Sequence, residues 1–150
     1  AAEREAAGAP WLERNAAALD AEGRGEILRG AVAVLAQPDW AELFGPGSLG
    51  EVPIAAVVGG SVVAGTIDRL LVEPARIRIV DYKTARRPPA DIADVPAAVL
   101  RQMAAYAAAL ESTYPGRSVE AALLYTAAPR LIAVPAAVIA RHKAELPGAE

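Results

Sequence analysis

Asp81-Tyr82-Lys83-Thr84 follows the apolar run Ile77-Arg78-Ile79-Val80 and is the stretch best equipped for chemistry. Strand side chains alternate faces, so Ile77, Ile79, Asp81 and Lys83 share one face. A carboxylate and an ammonium then leave the strand together where its apolar part stops. A second acid, Asp68, lies in the preceding apolar run, residues 62–72. A charge there is costly unless it is paired or metal-bound. A short turn puts the two acids on neighbouring strands. Two carboxylates and a lysine at one sheet edge are the parts that hold a divalent metal and cut a phosphodiester. Glu51, at the start of the first strand, can add a third acid. Each residue also has an ordinary reading. Asp68 and Glu51 would be solvated, and Asp81 with Lys83 would be a strand-end ion pair. Their joint occurrence favours a site.

Gln102 and Tyr106 are four apart on one helix, hence neighbours on its surface. Tyr106 also fits an apolar stripe with Val99, Met103 and Leu110, which makes it a core aromatic as well. The single histidine, His142, stands between Arg141 and Lys143 and reads as solvated, with no catalytic role.

The elements that must position these residues follow from periodicity. Residues 10–44 read as helical, with a break over 20–25 and a short third helix opened by Pro38-Asp39. Gly45-Pro46-Gly47-Ser48 stops them. Residues 52–58 and 61–72 are rich in β-branched side chains and are joined by Gly59-Gly60, a hairpin signature. A third strand spans 76–84, a proline-rich loop 86–96 and a helix 97–112. Strands at 119–126 and 131–134 and a helix at 135–146 complete the chain. The order is helices, three strands, helix, two strands, helix. It predicts an α/β fold: a mixed sheet of about five strands flanked by helices, with the third and fourth strands parallel. Residues 1–150 read as one domain, with a helical part over 1–45 and a core over 49–146.

Composition narrows the function. The 150 residues are 54% hydrophobic and 22% charged, so a packed core is expected rather than disorder. Cysteine is absent. That excludes disulfides, thiolate metal sites and a thiol nucleophile, and it fits a cytoplasmic setting. No run is long enough for a membrane span. The net charge of −3 is unusual for a free-standing DNA-binding domain, so nucleic-acid contact must be local or aided by a partner. A solitary restriction-type endonuclease is disfavoured on the same ground. The chain has no Walker A sequence, so it would not itself hydrolyse ATP. It opens in helix-like sequence without a Met, as a domain of a longer protein would.

Three segments carry a family resemblance. Gly65-Thr66-Ile67-Asp68-Arg69, Ile79-Val80-Asp81-Tyr82-Lys83-Thr84 and Gln102-Met103-Ala104-Ala105-Tyr106 resemble the RecB-type branch of the PD-(D/E)XK nucleases. Leu43-Phe44-Gly45-Pro46-Gly47-Ser48, Glu51-Val52-Pro53-Ile54, Leu100-Arg101-Gln102-Met103 and Tyr114-Pro115-Gly116-Arg117 are similar to the C-terminal nuclease domain of the bacterial AddA helicase–nucleases, which repair double-strand breaks. The resemblance implies a restriction-endonuclease-like core and a Mg²⁺- or Mn²⁺-dependent deoxyribonuclease. It makes Glu51, Asp68 and Asp81 the acidic site, with the Tyr82 carbonyl a further metal ligand. Lys83 becomes the catalytic lysine, and Gln102 and Tyr106 lie near the site and the DNA. Apart from the resemblance, Arg86 and Arg87 lie just past the site and would either hold backbone phosphates or belong to a solvated loop. Helicase domains and an AddB-like subunit would feed a single strand to the site. Such nucleases usually carry a His before the first strand, and this chain has none before Glu51. The chain alone would then bind metal weakly and could be inactive. The alternative is a non-catalytic DNA-binding or subunit-docking module built on a degenerate nuclease fold.

Overall fold

Gly59 and Gly60, at φ of 53° and 78°, take the left-handed backbone of a two-residue hairpin turn. In the computed structural model, which describes residues 2–146, they join β1 (Ser48–Val58) to β2 (Ser61–Val72). Then come β3 (Arg76–Lys83), β4 (Ser118–Tyr125) and β5 (Arg130–Val134). The strands lie in sheet order β1-β2-β3-β4-β5. All neighbours are antiparallel except β3 and β4, which are parallel, as expected of strands joined through a helix. The helices are α1 (Ala2–Asn15), α2 (Ala21–Leu35), α3 (Ala97–Thr113) and α4 (Ala136–Lys143), with 3-10 turns at Pro38–Phe44 and Ile92–Asp94. This is the mixed five-stranded sheet with flanking helices that the periodicity predicts. Residues 1 and 147–150 of the expected domain lie outside the described residues.

Each face of the sheet buries its own apolar set. On one, Val34 of α2 and Leu43 meet Leu71, Val80 and Leu124. On the other, Leu100 and Met103 of α3 and Ile139 of α4 meet Ile67, Ile77, Ile79 and Leu123. Ala104 and Ala107 are fully buried, and their short side chains let α3 approach the sheet closely. Truncating a buried residue such as Met103 to Ala would cost about 2–5 kcal/mol. The core therefore fixes how α3 sits over β3.

Two sequence expectations need correction. The helical break lies at residues 16–20, earlier than the predicted 20–25. Asp20 caps α2, its side chain accepting from Gly23 N at 2.8 Å. That cap and the bond from Arg24 to the Leu19 carbonyl offset the roughly 1 kcal/mol that each of Gly23 and Gly25 costs inside a helix. His142 is also not solvated. It is 4% exposed, and its Nδ1 lies 2.9 Å from Glu145 Oε2. Ile139, three residues earlier, is buried on the same face of α4, so that face turns His142 inward while Arg141 stays outside.

Candidate active site

The site begins where strand alternation fails. In β2, both Ile67 and Leu70 face the α3 side, although they are three residues apart. Leu71 faces the other side. The phase therefore slips at Asp68-Arg69. In β1, Gly50 pairs with Arg69 and Val52 with Ile67, so Glu51 stands opposite Asp68. Glu51 has φ of 52°, the one non-glycine residue with positive φ among the described residues. The β2–β3 ladder also ends beside this kink, at Arg69 and Val80. Asp68 then does the work of the missing ladder bond: its Oδ2 accepts from Tyr82 N at 2.5 Å.

Past the fork, β3 still pairs with β4, matching Asp81 with Leu123 and Lys83 with Tyr125. Thr126 N donates to the Lys83 carbonyl at 2.9 Å and pins the strand end. Asp81 and Lys83 thus share the face under α3, as alternation predicts. Lys83 Nζ lies 2.6 Å from Asp81 Oδ2 and donates to Gln102 Oε1 at 3.4 Å. Gln102 Nε2 in turn donates to Tyr106 Oη at 3.2 Å. Tyr106 is 7% exposed and belongs to the core, as its place in the stripe predicts. Its ring packs on Gly65, where a Cβ would come within 2.5 Å of Oη. Asp81, Lys83, Gln102 and Tyr106 therefore form one connected row from strand to helix.

Asp81 is 5% exposed. Burial pushes its carboxyl above the usual range; Lys83 opposes the shift and the Asp68 charge adds to it. Its Oδ2 is fully buried, and its close partner among the described residues is the Lys83 ammonium. An ionised carboxylate has about four lone-pair sites, so one paired with a single ammonium keeps acceptor capacity that a metal cation could use. With Asp68 it forms a hard oxygen pair, which fits Mg²⁺, an ion commonly held by one or two carboxylates with several waters retained. Among the described residues the fold brings together two acids here and not three. Among the described residues no three His, Cys, Asp or Glu side chains gather as metal ligands. Glu51 is exposed and has no side-chain partner among them.

Arg86 and Arg87 are exposed just past the site. Arg86 pairs with Glu26 of α2 at 2.9 Å, a surface pair worth about 0–1 kcal/mol that a phosphate could displace. Arg87 lines a cleft of about 540 Å³ with Lys83, Val99 and Tyr125. Sequence reasoning missed Tyr125. It ends β4 beside Lys83, and burial, ahead of the opposing Lys83 charge, raises its phenol pKa. The signal was its place at the end of a strand parallel to β3. Sequence reasoning also missed Arg69, which donates from Nε to Tyr82 Oη at 2.9 Å.

The family model of the PD-(D/E)XK nuclease superfamily matches residues 2–146. No curated protein sequence matches the chain. The crystal structure of a candidate exonuclease from Eubacterium rectale is similar, with a TM-score of 0.61 at 13% identity over 89% of this chain and 55% of that one. At that identity the likeness concerns the fold, and this chain spans about half the length of that protein. The structure of SSO0001 is more distant, with a TM-score of 0.43 at 17% identity over 77% of this chain and 56% of that one.

Proposed function

The chain belongs to the PD-(D/E)XK nuclease superfamily, and from that premise we propose that it hydrolyses DNA phosphodiesters with Mg²⁺ or Mn²⁺. The observation that carries this reading is the placement of Lys83 Nζ between Asp81 and Gln102. Asp68, Asp81 and the Tyr82 carbonyl would hold the metal. When bound, it supplies Lewis acidity to the phosphoryl oxygen and lowers the pKa of a bound water. Lys83 stabilises the charge that develops on the pentacovalent phosphorus, as a fixed cation in a partly dry site can. Gln102 fixes the ammonium and is itself held by Tyr106. Arg86 and Arg87 bind backbone phosphates on the entering strand.

The resemblance to AddA supports a finer reading. The chain would be the nuclease part of an AddA-like helicase–nuclease that acts in double-strand-break repair in the bacterial cytoplasm, with an AddB-like partner. A helicase that delivers a single strand removes the need for a basic domain, which fits the net charge of −3. No helix among the described residues is long and apolar enough to cross a membrane.

A second reading rests on the convergence of only two acids: a DNA-binding or docking module without catalysis. Calorimetry with Mg²⁺ and Mn²⁺, and cleavage of end-labelled single-stranded DNA with either ion or with EDTA, separates the two. The nuclease reading expects ion-dependent cleavage that Lys83→Ala abolishes while leaving DNA binding nearly unchanged. Near-normal cleavage by Lys83→Ala would reduce Lys83 to an ion-pair partner. DNA binding without metal binding or cleavage would establish the module instead.

A further inference from the structure

We propose that Arg69 is a positioning residue for this site, acting through Tyr82 from the opposite face of the sheet. The inference rests on the nuclease reading. The β2–β3 ladder ends at Arg69 and Val80. Beyond it, two side chains of β2 hold Tyr82. Asp68 Oδ2 accepts from its backbone N at 2.5 Å, and Arg69 Nε donates to its Oη at 2.9 Å. Consecutive residues of one strand thus grip the amide and the phenol of a single residue on the next. That residue lies between Asp81 and Lys83, so its orientation sets theirs.

Arg69 is committed to this task. Its guanidinium lies 5.3 Å from the centroid of the Phe44 ring, a cation–π distance. Phe44 and Tyr82 both pack against the apolar layer under α2. Arg69 pairs with Val80, which belongs to that layer, whereas Lys83 reaches Gln102 on the other face. No salt bridge engages Arg69 among the described residues. An arginine so placed does not face a phosphate bound at Lys83. Without its bond, the Tyr82 ring keeps its packing under α2 and its strand keeps the pairing with β4, but β2 loses one of its two side-chain holds on residue 82. Groups that orient ligands in this way are typically worth a factor of about 10–100 in metal affinity or activity.

The test uses Arg69→Ala and Tyr82→Phe, the second removing only a hydroxyl. Hydrogen exchange at the residue-82 amide reads the bond to Asp68 without any need for activity. Both variants should accelerate that exchange at least about tenfold, and both should lower kcat within the range just given, with KM for single-stranded DNA changed less than about threefold. The double variant should lose no more than the worse single, because both remove one bond. Unchanged exchange at residue 82 in Tyr82→Phe overturns the proposal, whatever Arg69→Ala does to the fold. A raised KM with kcat intact in Arg69→Ala also overturns it, since that marks a phosphate contact. If the wild type cleaves nothing, the nuclease reading fails, and the exchange experiment still decides whether Arg69 positions Tyr82.

Discussion

Glu51 and Asp68 occupy facing positions in the β1–β2 ladder, between the pairs Gly50–Arg69 and Val52–Ile67, and both strands change phase there. The kink turns Asp68 toward β3, where it bonds Tyr82 N. Glu51 pays for the kink with a left-handed backbone, which a residue with a Cβ adopts at a cost of roughly 1–2 kcal/mol. Strain of this kind gathers at functional sites.

Glu51→Gly tests that relationship. Glycine relieves the left-handed backbone, partly offset by its extra freedom in the unfolded chain. The variant should be as stable as the wild type or more stable by up to about 1 kcal/mol. Thermal melts check this. A clear loss of stability would mean that the Glu51 side chain, and not the backbone, holds the kink. If Glu51 also serves the metal, the same variant loses cleavage while keeping its fold.

Gly65→Ala should be the most damaging single-methyl change near the site. Its Cβ would meet Tyr106 at 2.5 Å from Oη and 2.8 Å from Cε1. The ring is buried and cannot swing into solvent. Overpacking of this sort costs about 1–3 kcal/mol, and any shift of Tyr106 carries Gln102 with it. Denaturant melts and cleavage assays should therefore fall together. A variant with normal stability would show that the ring relaxes freely.

The parts legible in the sequence are those governed by local rules. The Gly59-Gly60 turn, the parallel β3–β4 pair and the shared face of Asp81 and Lys83 follow from turn chemistry, an intervening helix and strand alternation. The phase slip at Asp68 was not legible, because each half of β2 alternates correctly by itself. Nor was the bond between Arg69 and Tyr82, which depends on the register of two strands. His142 looked solvated between two cations; its burial is set by the face that Ile139 turns to the core. Residues 21–25 looked like a break because their glycines are visible, whereas the value of Asp20 as a cap depends on the geometry of the turn before it.

Gln102→Ala and Tyr106→Ala should separate chemistry from scaffold. Gln102 is half-buried and bonds Lys83 and Tyr106 through long contacts. Its loss should cost only about 1 kcal/mol of stability while lowering cleavage. Tyr106→Ala empties a core position and should cost about 3–5 kcal/mol. Melts and cleavage rates on both decide it. A Gln102→Ala protein that unfolds yet retains activity would make this part of α3 scaffold alone.

Asp81→Asn should trade activity for stability. Burial and the nearby Asp68 charge together disfavour the Asp81 charge more than Lys83 favours it, so the net shift of its pKa is upward. A neutral isostere removes that penalty, and Lys83, which is only partly buried, can turn its ammonium to water. In EDTA the variant should therefore melt higher than the wild type. Added Mg²⁺ should reverse the order. The wild type gains stability in proportion to the logarithm of metal concentration above its Kd, and a protein lacking one of two carboxylate ligands gains far less. Melts over a Mg²⁺ series, with and without EDTA, give both numbers. A lower midpoint for Asp81→Asn in EDTA would mean that the Lys83 pair outweighs burial. An equal response of both proteins to Mg²⁺ would remove Asp81 from the metal site.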